Sequence, residues 1–244
     1  MIRFLVLSII FLITAVCAAV AFTPLGFVLE RSGLSQMGAG WAQSEGTLLK
    51  GRISGLHMQG QVVGDVVLKL RPLSLLRLSP TYDVQWGGAA GRGTGVIALK
   101  GETLVATQVT LQQDLSGIEG LAPPVRAIGG SVRLDQGAMT ISRAGCASAS
   151  GTISSDALSN AAAQYGRQFG ELSGPLSCRD GDVVVALNGQ SGAGDVIALN
   201  ASASFLGQSN FDVKVTTQNG EVRYLLTQVG FVEQDGVLTY SKAR

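Results

Sequence analysis

Few residues of this chain have the types and spacing that a reaction requires. His57 is the single histidine. On a strand, Leu56-His57-Met58 would point the imidazole away from its two apolar neighbours, toward solvent. A Ser-His-carboxylate hydrolase would need this residue as its base. The G-x-S-x-G elbow that would present the nucleophile is missing. Its nearest approach, Gly189-Gln190-Ser191-Gly192-Ala193, fails at the last position and reads as a turn between strands. Asp180-Gly181-Asp182 reads as a hairpin turn, and a lone histidine elsewhere does not complete a metal cage. Gly91-Arg92-Gly93-Thr94-Gly95 lacks the G-x-G-x-x-G spacing and has no following helix to hold a phosphate, so it reads as a glycine-rich β-turn. The expectation is no catalytic residue, no metal ligand set and no cofactor: a non-enzymatic module that works through its surface.

The cysteines point to a compartment. Cys146 and Cys178 lie outside the apolar N-terminal run, and in an exported chain such a pair is most simply a disulfide, the alternative being two buried thiols. The bridge would close a loop of about 33 residues and stabilise by about 3–4 kcal/mol on the chain-entropy account. Export itself is read from residues 4–22, FLVLSIIFLITAVCAAVAF, which hold no charge. As a helix this run spans roughly 28 Å, about the hydrocarbon thickness of a bilayer. Arg3 in front of it favours a cytoplasmic N-terminus. Ala19-Val20-Ala21 also fits a signal-peptidase site. The length of the run favours an uncleaved signal-anchor over residues 1–24, with residues 25–244 as one β-rich domain beyond the membrane.

Composition narrows the class further. Eighteen Lys+Arg balance 17 Asp+Glu for a net charge of +1. That leaves no basic stripe for nucleic acid and no polybasic segment for anionic lipid. With 33 glycines and 6% aromatics, the chain predicts a mainly β domain with a core of small aliphatics and one or two short helices.

The elements follow from periodicity. Leu25, Val28, Leu29 and Leu34 predict a short helix leaving the membrane. Residues 63–70 place Val66, Leu68 and Leu70 on one face of a strand that Pro72 ends. Leu73, Leu75, Leu76 and Leu78 form an apolar cluster that reads as ordinary core or as a contact surface. Strands are expected over 82–86, 96–99, 104–111, 182–187, 196–205, 211–217 and 236–240. Residues 131–134 and 138–141 read as a hairpin through Asp135-Gln136-Gly137. Residues 153–170 read as a helix capped by Ser155 or Asp156, a crossover between the two cysteines. Residues 221–229 read as a second short helix. An exposed sheet edge is the physical candidate for partner binding.

These residues resemble a known family. The stretches Gly46-Thr47-Leu48-Leu49-Lys50-Gly51, Leu70-Arg71-Pro72-Leu73-Ser74-Leu75-Leu76, Gly145-Cys146 through Gly151, and Leu172-Ser173-Gly174-Pro175 through Gly181 look like type II secretion system protein N. The motif positions are Gly46, Gly51, Pro72, Leu75, Leu76, Gly151 and Gly174. Leu49 and Leu70 stand where many relatives carry tryptophan. The resemblance implies a single inner-membrane span, a periplasmic β domain, and other inner-membrane or periplasmic secretion components as partners. The first half is also similar to AsmA-like periplasmic proteins, which implies a long, curved, mostly antiparallel sheet and possible lipid contact.

Overall fold

The computed structural model describes residues 22–32, 34–58, 61–89, 91–117, 126–127, 129–164, 167–204, 208–228 and 230–243, with residues 4, 11, 14 and 18. Most of the expected membrane segment, and Pro123-Pro124, lie outside the described residues. Among the described residues no helix is long and apolar enough to cross a membrane. The chain divides into two compact units, Met1–Ala89 and Ala90–Arg244.

In the first unit a short helix, α1 (Leu25–Arg31), precedes five antiparallel strands: β1 (Ala39–Gly40), β2 (Gln43–Gly46), β3 (Lys50–Met58), β4 (Gln61–Leu70) and β5 (Thr81–Gly87). The ladder runs β3-β4-β5, and β1 and β2 share the outer edge of β3. The period-two pattern holds. Ile53 lies opposite Val66, which lies opposite Trp86, and Leu68 lies opposite Val84. Ile53, Val66, Leu70 and Val84 are buried. Helix α1 covers this unit with the buried side chains Leu25 and Leu29. Leu25 packs so closely over Gly51 that a Cβ there would collide with it. The tight turn from Gly46 to Gly51 needs a positive φ of 84° at Gly46, which glycine adopts without steric cost.

The second unit is a meander. Its strands are β6 (Gly91–Lys100), β7 (Thr103–Asp114), β8 (Ser131–Ser142), β9 (Gly145–Ser155), β10 (Leu172–Arg179), β11 (Asp182–Gln190), β12 (Val196–Ala203), β13 (Ser209–Thr216), β14 (Val232–Gln234) and β15 (Val237–Ala243). They lie in chain order except at the end, where β15 pairs β13 and β14 is outermost. Helices α2 (Ala157–Gln164) and α3 (Gly220–Gln228) interrupt them. The fold is mainly β and antiparallel, with few short helices, as the composition implied.

Three expectations need correction. Asp135-Gln136-Gly137 does not turn the chain: residues 131–142 form one strand, and these three make a bulge with Gln136 at φ 51°. A bulge uses the same turn-prone residues that a hairpin would. Gly91–Gly95 is not a turn but the start of β6, paired through residues 91–94 with residues 110–113 of β7. A Cβ at Gly91 would lie 2.6 Å from the Gln112 carbonyl, so the glycine permits close strand approach. The helix expected over 153–170 shrinks to Ala157–Gln164, and it is no crossover, because β9 and β10 are antiparallel neighbours. Asp156 does not cap it. Its carboxylate accepts from Ser131 N–H and from the Ser131 hydroxyl at 3.1 Å, while Ser155 Oγ accepts the Ala157 amide at 3.3 Å.

One face of the second unit is apolar. The cross-strand rows Leu187-Leu199-Val213-Tyr240 and Gly189-Ile197-Val215-Leu238 sit two residues apart and so share a face. The alternate rows place Asn188, Asn200, Asp212, Lys214 and Ser241 on the other. Among the described residues these apolar rows are buried or half-buried, with Leu187, Val215 and Leu238 most deeply buried.

Candidate functional site

The chemistry-bearing residues are held in structural roles. His57 is exposed on β3, its ring over Gly40 and its Nδ1 3.4 Å from the Gly55 carbonyl. Ser191 does meet a carboxylate: its hydroxyl donates to Asp195 at 2.9 Å, and Thr217 Oγ1 donates to the same group at 2.6 Å. Ser191 Oγ in turn accepts from the amides of Ala193 and Asp195 at 3.2 and 3.0 Å. These bonds organise the turn between β11 and β12. Asp180 and Gly181, at φ 55° and 87°, form the β10–β11 hairpin turn, as read from the sequence. Among the described residues no group of three or more His, Cys, Asp or Glu could hold a metal ion.

Cys146 and Cys178 form a disulfide with Cα atoms 5.6 Å apart. The β9–β10 ladder pairs residues 152–155 with 172–175 and stops at Pro175, which has no amide to donate. Near the other end of the two strands, the Cys146 N–H donates a hydrogen bond of 2.7 Å to the Gly181 carbonyl. The disulfide fastens that end.

Among the described residues, two surfaces offer groups to a partner. The first is the outer edge of the second unit. There β14 covers only Val237–Thr239 of β15, and its own three residues are all exposed. The second is the stretch Pro72–Arg77, a 3-10 turn between β4 and β5. Leu73, Leu76 and Leu78 are 78%, 81% and 90% exposed there, so the ordinary-core reading of this cluster is wrong for these three. Each forgoes on the order of 1.5–3 kcal/mol that burial would contribute.

The knob is nevertheless tightly built. Ser74 donates its hydroxyl to the Arg71 carbonyl at 2.6 Å and accepts from the Thr81 amide at 2.9 Å. Leu78 sits at φ 52°, and its amide reaches the Leu75 carbonyl at 3.0 Å. At the base, Arg71 makes a forked bond to Asp83, with Nη2 at 2.6 Å and Nε at 3.1 Å. The sequence left core and contact surface both open for this cluster, and the exposure of Leu73, Leu76 and Leu78 decides for surface. A partial signal was present in the sequence: prolines stand at both ends, at 72 and 80, and Arg71 and Arg77 lie beside the leucines.

The Arg71 hydrogen bond holds the Asp83 carboxyl below the usual carboxylate range, against a smaller opposing push from burial. The sign is that of a depressed acid. The contribution is full above the unfolded value of about 3.9 and is lost as pH falls through the lower folded value. Urea midpoints taken between pH 5 and pH 2.5 should therefore fall less in Arg71→Ala than in the parent. Asp65 and Asp114, lowered by Arg52 and Ser116, act in the same direction in both proteins.

A family profile described as type II secretion system (T2SS), protein N, matches residues 37–241, which takes in strands of both units. The chain belongs to this family. No curated protein and no solved structure matches it significantly. Within this protein N fold the motif residues have plain roles. Gly46 and Gly51 close the β2–β3 turn, Pro72 opens the leucine knob, Leu76 is on its surface, and Leu75 is half-buried. Gly151 and Gly174 lie where neighbouring strands press close: a Cβ on Gly151 would come 3.0 Å from Gly137 Cα, and one on Gly174 would strike the Ala186 carbonyl. Membership supports an accessory role in type II secretion and contact with other components of that machinery.

Proposed function

We propose that this protein is a non-enzymatic accessory component of the type II secretion machinery. Residues 4–22 hold it in the bacterial inner membrane, and residues 25–244 act in the periplasm through contacts. The single observation that carries the reading is the family match across both units. The disulfide supports an oxidising compartment. Phe4, Phe11 and Phe22, at 80%, 76% and 80% exposed, have little protein cover, as lipid-facing side chains would. Contacts use the β14–β15 edge, whose unpaired backbone groups suit an added strand, and the leucine knob.

A second reading rests on the apolar face of β11–β15. Its rows are buried or half-buried, Leu187, Val215 and Leu238 most deeply, so acyl chains, which need apolar area and no polar partners, would have to take the place of the cover these rows have here. This is the AsmA-like, lipid-contacting alternative.

One experiment separates them. Full-length protein is extracted from membranes and purified, and its companions are read by mass spectrometry for proteins and lipids. In parallel, exoprotein release is measured in a deletion strain. The secretion reading expects other secretion components to co-purify and release to fall severalfold. Normal release with no such companions defeats it, and bound phospholipid in their place favours the lipid reading.

A further inference from the structure

The apolar run of residues 4–22 ends in the sequence at Thr23-Pro24. These two residues are fastened to one end of the first unit's sheet. The Thr23 carbonyl accepts from the Leu48 amide at 3.3 Å, and Pro24 bridges Thr47. The adjacent Leu49 carbonyl accepts from the Leu70 amide at 2.9 Å. Leu70 leads through Arg71 into the leucine knob. The exit of the apolar run and the base of the knob thus lie about two strand spacings apart, roughly 10 Å, at the same end of one sheet.

That end also gathers cations. Lys50 and Lys69 face each other across β3 and β4, a pairing that is unfavourable unless an anion lies near. Asp83 lies opposite Lys69 but is already bound by Arg71. Arg77 is exposed among the leucines and forms no ion pair among the described residues. Chain-wide neutrality hides this local excess.

We propose that Leu73, Leu76 and Leu78 insert into the headgroup–acyl boundary of the bilayer that holds residues 4–22, with Lys50, Lys69 and Arg77 facing lipid phosphates. The inference rests on the membrane reading of that run. Position selects lipid as the occupant. An apolar tip held out by a hydrogen-bonded loop, beside the point where the chain leaves the hydrocarbon, falls within the 5–10 Å depth that interfacial apolar groups occupy, roughly the reach of the knob. The consequence is a second point of attachment, which fixes the orientation of this unit on the membrane where one linker would leave it free to swivel.

The test uses full-length protein in vesicles of phosphatidylethanolamine and phosphatidylglycerol. Cys17 is the one cysteine outside the disulfide, so a bimane label there reports on the apolar run. A label on Leu76→Cys in a Cys17→Ala background reports on the knob. Asn200→Cys in the same background, on the polar face of β12, is the control. Quenching is read with lipids that carry a doxyl group near the glycerol end of the acyl chain. The expected result is about twofold or greater quenching at position 76 and little at position 200, with aspartate at both Leu73 and Leu78 cutting the quenching at 76 by about half or more.

Quenching at Cys17 but not at 76 overturns the leucine insertion and leaves the anchor standing. No quenching at either position overturns both. Quenching at 76 that two aspartates do not change reports proximity without insertion and also overturns the proposal. So does a label that lipid never quenches and that becomes shielded from aqueous iodide only when other secretion components are present. That outcome assigns the leucines to a protein.

Discussion

Serine at both Cys146 and Cys178 is expected to lower the unfolding free energy of residues 90–244 by about 3–4 kcal/mol. The bond closes a loop with a sequence separation of 32 residues, and the reduced unfolded chain regains that loop-closure entropy. For a unit of this size the melting temperature should fall by roughly 10 °C. The effect should also be local. On the β10 side of β9, ladder pairing covers residues 152–155 and then stops at Pro175. Without the bridge, the hydrogen bond from the Cys146 N–H to the Gly181 carbonyl is left to hold that end of the two strands. Amide exchange near Cys146 and Gly181 should therefore accelerate in the variant before global unfolding does. The check is thermal or urea melting of the full chain with and without dithiothreitol. The reductant should shift the parent to the variant's midpoint and leave the variant unmoved. A parent that melts identically in both conditions would show that the β8–β9 and β10–β11 ladders suffice.

The same region shows what the sequence could and could not tell. The cysteine pairing was legible because compartment and count left one simple partner. The helix was legible as an apolar-periodic stretch around Leu158, Ala161 and Ala162, but its ends were not, because Ser155 and Asp156 are equally good caps and β-edge residues. Tertiary bonds decided: Ser131 claims the Asp156 carboxylate, and β9 runs on to Ser155. Asp135-Gln136-Gly137 read as a hairpin turn, and that reading was wrong: the positive φ at Gln136 belongs to a bulge, and pairing with β7 and β9 carries the strand through it. Bulges and two-residue turns use the same residues, so a single sequence cannot separate them.

The contact surfaces were harder still. Leucines at 73, 75, 76 and 78 look like core by composition. Their exposure follows from the ends of the loop being tied at Arg71 and Thr81, where Arg71 N–H reaches the Thr81 carbonyl at 2.8 Å. So short a closure forces the apolar tip outward. The candidate lipid contact depends in addition on Thr23 and Leu70 meeting at one sheet end through β3, a relation between residues 47 positions apart that no local pattern encodes.

Gly174→Ala carries the other large expected effect. Gly174 lies in β10, opposite Ile153 of β9 on one side, with Ala186 of β11 on the other. A methyl group there would enter the Ala186 carbonyl and approach Leu187 Cα at 3.1 Å. Both obstacles are backbone within a paired strand, so no rotamer change relieves the clash. Either β10 withdraws from β11, losing the Ser173–Asn188 and Leu176–Val185 register, or the strand slips and turns Leu172 and Leu176 out of the core. Overpacking of this kind costs typically 1–3 kcal/mol where side chains can yield, and against rigid backbone about 3 kcal/mol or more is expected. Gly192→Ala is the matched control, because a Cβ there meets nothing within 4 Å and the change should move the urea midpoint little. Combining Gly174→Ala with the serine pair should give less than the sum of the two losses, since both act on the seating of β10 beside its neighbours. A fully additive result would mean that the bridge and the glycine hold independent parts of the sheet. A Gly174→Ala midpoint equal to the parent's would mean that β10 and β11 can separate there without cost.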